Sequence, residues 1–389
     1  MIHKIVPILV VLPLVLIAVI TGCDTESPKG GERDAGAGDK SANSAEPGEI
    51  ASGTGNVKPL PTVWNDLRLP DPSSASAGNA QIARRSGSRV TIGHKYSAQE
   101  DMWIVFDHHG ANRLYGFSQW RLAANTAEQV DPDLNRASEV LQNAVTDWIG
   151  PYIVEANENG TGSGTLHFTG GAHAYNGDDK GSATARTVSC GIWSDGIELE
   201  DGQLVRSDKI TIRVVNHIQG YNTKLEEGSG REILKETITY EIVGGRVQVH
   251  AEIEALEDVT FYRYYGLQTV NTAWSDQVLY AVGNRIAAVS PGKSYSDSGK
   301  LSANPDVDRY VLISDGSKRI RHHLLVWLDR KYGIGTMEHV AAQRPAAFTY
   351  EYGKTYFLQI ADTSPVLSKG ETYFWRGGYH FYSETVNKQ

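Results

Sequence analysis

Ile233-Leu234-Lys235-Glu236-Thr237-Ile238-Thr239-Tyr240-Glu241-Ile242 and Arg246-Val247-Gln248-Val249-His250-Ala251-Glu252-Ile253-Glu254-Ala255 flank a short turn containing Gly244-Gly245. In both runs apolar and polar residues alternate, which places one face of each strand in a core and the other toward water. A Gly-Gly connection between two such runs is a hairpin signal, because tight hairpin turns require backbone conformations that glycine adopts freely. This pairing sets the expectation for the whole chain: antiparallel and β-rich.

Strand signals continue outward from the hairpin. On its N-terminal side are Val90-Thr91-Ile92-Gly93-His94, Met102-Trp103-Ile104-Val105-Phe106 and Lys209-Ile210-Thr211-Ile212-Arg213-Val214-Val215. On its C-terminal side, strands are expected near 260–268, 278–282, 310–313, 323–328, 356–360 and 373–382. Helix signals are sparse. Asp131 as a cap, Pro132 in the first turn and Leu134, Ala137, Val140, Leu141, Ala144 and Val145 at helical spacing predict one helix. A shorter one is expected near 339–344. The Gly-, Ser- and Asp-rich stretch 290–309 reads as a long loop.

The N-terminus speaks for export. Lys4 precedes an apolar run from Ile5 to Ile20, broken by Pro7 and Pro13 and shorter than the roughly 20 residues a crossing helix needs. Ile20-Thr21-Gly22-Cys23 resembles a bacterial lipobox, which implies cleavage before Cys23 and a diacylglycerol on its thiol. The expected organisation is a leader over 1–22, a lipidated Cys23 opening a disordered tether over 23–60, and one β domain over 61–389. The tether is rich in Gly, Ser, Ala, Glu, Asp and Lys and has too little apolar surface to offset its chain entropy. Two cysteines in the chain leave Cys190 without an intrachain partner once Cys23 is modified. The expected location is extracytoplasmic, with membrane contact through the lipid alone.

Composition excludes several classes. The net charge is −9 and no basic block is present, which argues against nucleic acid as a partner. No dinucleotide or phosphate-loop fingerprint and no Cys/His zinc spacing occurs, so no cofactor or metal is expected. Tyrosine outnumbers phenylalanine 19 to 8, and eight tryptophans are present. Flat rings with polar tips suit sugar stacking as well as packing.

Three stretches carry a family resemblance. The hairpin is followed by Glu257-Asp258-Val259-Thr260-Phe261-Tyr262-Arg263-Tyr264-Tyr265-Gly266-Leu267. Near the end come Tyr356-Phe357-Leu358-Gln359-Ile360 and Leu367-Ser368-Lys369-Gly370-Glu371-Thr372-Tyr373. His167-Phe168-Thr169-Gly170-Gly171-Ala172-His173-Ala174-Tyr175 is the third. Together they resemble the galactose-mutarotase-type β-supersandwich, over residues 90 to 385. The resemblance implies an all-β fold, a large antiparallel β-sandwich with one or two short helices, and a carbohydrate-active protein whose partner is a polysaccharide or oligosaccharide. In sugar epimerases of that fold, a His on the first of these strands is the acid and a Glu on the second is the base. Here those positions hold Arg263 and Gln359. Glutamine has no titratable group, which points away from epimerisation and toward the lyases, hydrolases and binding domains that share the fold.

The candidate residues follow from side-chain chemistry at expected strand ends. β-Elimination at a uronate needs a carboxylate neutraliser, a base and an acid. Arg263 or Asn216 could neutralise, His173 or His217 could be the base, and Tyr175 or Tyr265 could donate the proton. Alternation places Arg263 and Tyr265 on one face, where the guanidinium needs a partner, either a uronate or a structural acid such as Glu252 or Glu254. His109, Arg113, Asn216, Asn222 and Arg186 are candidate substrate contacts. Adjacent histidines on a strand, His108-His109 and His322-His323, face opposite sides and form no metal pair. A polysaccharide lyase is the leading expectation. A glycoside hydrolase on the same fold and a non-catalytic glycan-binding lipoprotein are the alternatives.

Overall fold

The computed structural model describes residues 65–66, 81–161, 166–175, 181–224, 230–291, 306–315, 320–342, 344–350 and 352–385. The leader, Cys23, the tether and residues 292–305 of the expected long loop lie outside the described residues.

The hairpin forms in the register its alternation demands. Glu232–Val243 pairs with Arg246–Ala255, matching Val243 to Arg246, Ile242 to Val247, Tyr240 to Val249 and Ile238 to Ala251. Gly244 takes φ +58°, in the left-handed region where a Cβ is disfavoured. Around this pair grows an 11-stranded antiparallel sheet. On one side it continues through Thr372–Thr385, Ile320–Leu328, Arg309–Ile313, Gln277–Val282 and Arg285–Pro291 to Asn65–Asp66. On the other it continues through Ile210–Gln219 and Ala185–Ser194 to Ile197–Glu198.

A six-stranded sheet covers it, in the order Leu204–Ser207, Gln81–Ser86, Arg89–Lys95, Glu100–His109, Leu114–Ala124 and Glu139–Asn143. The facing halves of the two sheets share one core. Phe106 and Phe117 of the smaller sheet meet Tyr240 of the larger at ring-centroid distances of 5.2 and 5.5 Å, and Trp120 meets Phe381 at 5.5 Å. The protein is thus a large antiparallel β-sandwich, stabilised by burial of these aromatic and aliphatic faces. Two small sheets complete the strand inventory of the described residues. One is built on Val259–Tyr264 with Tyr152–Ala156, Ile360–Ala361 and Val366–Leu367; the other comprises Gln268–Val270, Lys354–Phe357 and Ala347–Tyr350.

The helix expectations are corrected. Among the described residues there is no α-helix, only three-residue 3-10 turns at Thr272–Trp274 and Gly333–Gly335. Asp131 caps no helix: its Oδ1 accepts from the Asp133 N–H at 2.8 Å and its Oδ2 pairs with Arg136 at 2.9 Å. Leu134 drops into the notch left by Gly93 beside Trp103 and Val130. Residues Glu139–Asn143 add to the open edge of Leu114–Ala124. Edge pairing satisfies their backbone, and the supposed apolar stripe is not a buried face, since Val145 is 71% exposed. The described residues near 339–344 are likewise not helical, and Val340 is bridged to Ala361.

Candidate functional site around Asp147, His173 and Lys354

The Gly-Gly segment 166–175 is held against the body of the protein. Thr169 exchanges backbone hydrogen bonds with Tyr152 at 2.7 and 2.9 Å. Asn112 Nδ2 donates to the Gly171 and His173 carbonyls at 3.0 and 2.9 Å, while its Oδ1 accepts from the Thr184 N–H at 2.8 Å. Gly171 has φ +51°, and a Cβ there would stand 2.9 Å from Asp147 Cγ. Glycine is therefore required for close approach of this backbone to Asp147, and that approach delivers His173.

Asp147 is 3% exposed. It accepts from Thr146 Oγ1 at 2.9 Å, from the Ala172 N–H at 3.1 Å and from Gln268 Nε2. His173 Nε2 lies 3.7 Å and Lys354 Nζ 3.8 Å from its oxygens. Burial alone pushes the Asp147 carboxyl up, but the Lys354 ammonium, His173 and the Thr146 hydroxyl outweigh it and hold it below the ordinary carboxylate value. Burial pushes Lys354 down, and Asp147 only partly restores it. His173 is also lowered by burial, against the pull of Asp147 and with the help of Lys354 and His167. Burial thus disfavours the charged forms of Lys354 and His173, while Asp147, held between them, favours both.

An aromatic group adjoins it. Phe168 bridges His173 and Tyr265 at ring distances of 5.2 and 5.6 Å, and Tyr265 packs on Tyr356 at 4.7 Å. The Lys354 ammonium sits 5.3 Å over the Tyr356 ring, and the Tyr352 and Tyr356 hydroxyls are 2.9 Å apart. Tyr352 is 63% exposed, whereas Tyr356 is buried.

Beneath the cluster lies a cavity of about 30 Å³ lined by His109, Asp147, Asn216, Glu236 and Tyr240, among others, with room for a water molecule or two. Burial first of all lowers His109, while Asp147 and Asp107 pull it up. Asn216 donates to Glu236 at 2.9 Å and accepts from the Thr187 hydroxyl at 2.8 Å. Glu236 also accepts from the Tyr152 hydroxyl, and burial holds its carboxyl above the ordinary value.

The sequence candidates are thus divided. His173, Tyr265 and, under them, His109 and Asn216 gather around Asp147 and Lys354. Arg263 stands beside Tyr265, and its acid partner is Asp362 at 3.3 Å, shared with Arg344. It is neither Glu252 nor Glu254, because Arg263 belongs to a small sheet and Glu254 pairs with Lys235 in the large one. His217 points to the opposite side of its strand from Asn216 and donates to Glu232 at 2.6 Å; Arg186 binds the same carboxylate. Tyr175 is buried and donates to the Gly220 carbonyl at 3.0 Å. Asn222 clamps both backbone groups of Ala156 at 2.9 Å. Arg113 is exposed in a turn at φ +50°.

Sequence reasoning missed Asp147, Lys354, Tyr352 and Tyr356. The available signal was the crowding of Tyr350, Tyr352, Lys354 and Tyr356 within one hairpin. Among the described residues no group of three His, Cys, Asp or Glu side chains is arranged to hold a metal ion.

No family model matches the sequence, and a search of curated proteins returns no match. Among solved structures the chain is similar to the galactosidase domain of an α-galactosidase-sucrose kinase, with 9% identity, TM-score 0.37, and 78% of this chain and 42% of that one covered. It is similar to an α-galactosidase from Geobacillus stearothermophilus in complex with stachyose, with 11% identity, TM-score 0.36, and 79% and 41% covered. A structure described as a mutarotase from Salmonella typhimurium shows 6% identity and TM-score 0.29 over 82% of this chain and 97% of that one. The chain spans about two fifths of the length of the galactosidases it matches. Identities and scores this low leave the activity to be argued from the residues.

Proposed function

We propose that the chain is an exported, lipid-anchored protein acting on an acidic glycan, with β-elimination at a uronate as its reaction. The observation that supports the reading is that His173 and Lys354 flank the same Asp147 carboxylate, at 3.7 and 3.8 Å, next to the exposed Tyr352. His173 takes the proton at the carbon beside the uronate carboxylate. Lys354 neutralises the charge that builds on that carboxylate, with Arg263 as a second cation nearby. The Tyr352–Tyr356 hydroxyl pair, or Tyr265, returns a proton to the leaving oxygen. Asp147 orients His173 and Lys354.

Two-carboxylate hydrolysis is less well served, since it needs a pair of acids flanking the scissile bond and Asp147 is enclosed by donors. A binding protein without turnover would use the same aromatic shelf.

The test is to incubate purified protein with a panel of uronate polymers and follow ultraviolet absorbance of unsaturated ends. Turnover that disappears in His173→Ala, with an unchanged melting midpoint, supports the reading. Hydrolytic products, or binding with no product across the panel, refute it. Export and anchoring are tested separately: radiolabelled fatty acid should enter the wild-type chain in cells and not Cys23→Ala.

A further inference from the structure

The outer face of the six-stranded sheet, turned away from the core, carries a pocket of about 350 Å³. Its lining brings together Arg84, Arg89, Arg121 and Arg136 from four separated stretches of an acidic chain. The pairing explains the gathering. Arg84 lies opposite Thr91, Thr91 opposite Val105, and Val105 opposite Gln119, so these residues form one row across four strands. Trp103 and Arg121 form the next row, and the segment holding Leu134 and Ser138 makes a wall.

The four arginines are not equivalent. Arg136 is neutralised by Asp101 and Asp131 at 2.7 and 2.9 Å, and Arg89 faces Asp107 at 3.6 Å. Arg121 spends three donors on Ser138 and Gln119, at 2.7 to 3.0 Å, and none on a carboxylate. A guanidinium has five N–H donors, so two remain. Arg84 has no carboxylate within 4.0 Å among the described residues. Two uncompensated guanidinium groups therefore line one pocket, and planar guanidinium groups match the oxygens of a carboxylate or sulfate. The pocket is also far larger than one oxyanion. Thr91, Gln119 and Asn135 offer hydroxyl-binding groups beside the apolar surfaces of Trp103, Val105 and Leu134, the mixture a sugar ring presents in complement.

We propose that this pocket binds an acidic saccharide, its carboxylate or sulfate held by Arg84 and Arg121. The site is separate from the His173 cluster and does not rest on the lyase reading. Calorimetry on the full chain carrying Lys354→Met, which disables the other cluster, tests it with four probes: an oligouronate, a sulfated oligosaccharide, a neutral oligosaccharide of equal length and inorganic sulfate.

One or both acidic saccharides should bind and weaken with added salt, and Arg84→Gln should reduce that affinity about tenfold or more. Arg121→Gln should do the same. Ser86→Glu, which places a negative charge at the rim without touching the Ser138 segment, serves if Arg121→Gln unfolds. Equal binding of the neutral sugar, inorganic sulfate as tight as the saccharides, no binding of either acidic saccharide, or Arg84→Gln indistinguishable from its parent would each overturn the proposal. Loss of turnover in His173→Ala bears on the other site alone.

Discussion

His94 lies in the strand Arg89–Lys95 at 3% exposure, and both ring nitrogens are without a hydrogen-bond partner among the described residues. The ring meets Tyr96 edge-on at 6.4 Å. Burial, with a smaller contribution from His380, lowers its pKa from 6.5 to about 3. The folded protein therefore holds His94 neutral where the unfolded chain protonates it. Because the unfolded state then binds more protons, stability is full above pH 6.5 and is lost as pH falls toward the folded value. At about pH 4.5 the unfolded group is roughly 100-fold protonated while the folded one is barely so. Two decades at about 1.36 kcal/mol each, less a few tenths already present at about pH 7, give roughly 2.5 kcal/mol lost over that interval.

The perturbation is His94→Leu, of similar bulk and without titration. Urea unfolding followed by tryptophan fluorescence at both pH values measures it, because the other titrating groups are common to both proteins and cancel in the difference. The variant should lose about 2.5 kcal/mol less than wild type on acidification, and at about pH 7 it should be no less stable, since an unpaired buried ring N–H is removed. Equal losses in the two proteins would show that His94 is not held neutral by burial, and the argument would fail.

Asp147 raises the His173 pKa, so Asp147→Asn should move the His173 titration to lower pH in an NMR series; a move upward would contradict the electrostatics of the cluster. Gly171→Ala combines a left-handed backbone with a 2.9 Å approach to Asp147 and should cost about 2 kcal/mol or more by chemical denaturation, with His173 displaced. Arg330 is half-buried, its pKa is pushed down to about 10 by desolvation, and it donates to the carbonyls of Val307, Gly335 and Ala346. Arg330→Met should cost about 3 kcal/mol, because three carbonyls lose their donor inside the protein; a melt within error of wild type would refute that role.

The β class and the central hairpin were legible in residues 233–255 because strand periodicity is local: each side chain's face follows from its neighbours in sequence. The same logic placed His108 and His109, and likewise His322 and His323, on opposite sides of their strands. It failed at 131–145, where apolar spacing matched a helix. There an open sheet edge and the notch at Gly93 supplied partners that no local pattern records. Arg263 beside Tyr265 was also readable, whereas its ion pair with Asp362 was not, since the partner lies 99 residues away.

What the amino-acid order determined alone was therefore the antiparallel β architecture and the alternation of faces. Only tertiary structure brought Asp147, His173 and Lys354 to one point, and only sheet pairing collected Arg84 and Arg121 on one outer face. The physical reason is that both groupings depend on contacts between strands far apart in sequence, which fold and register decide and composition does not.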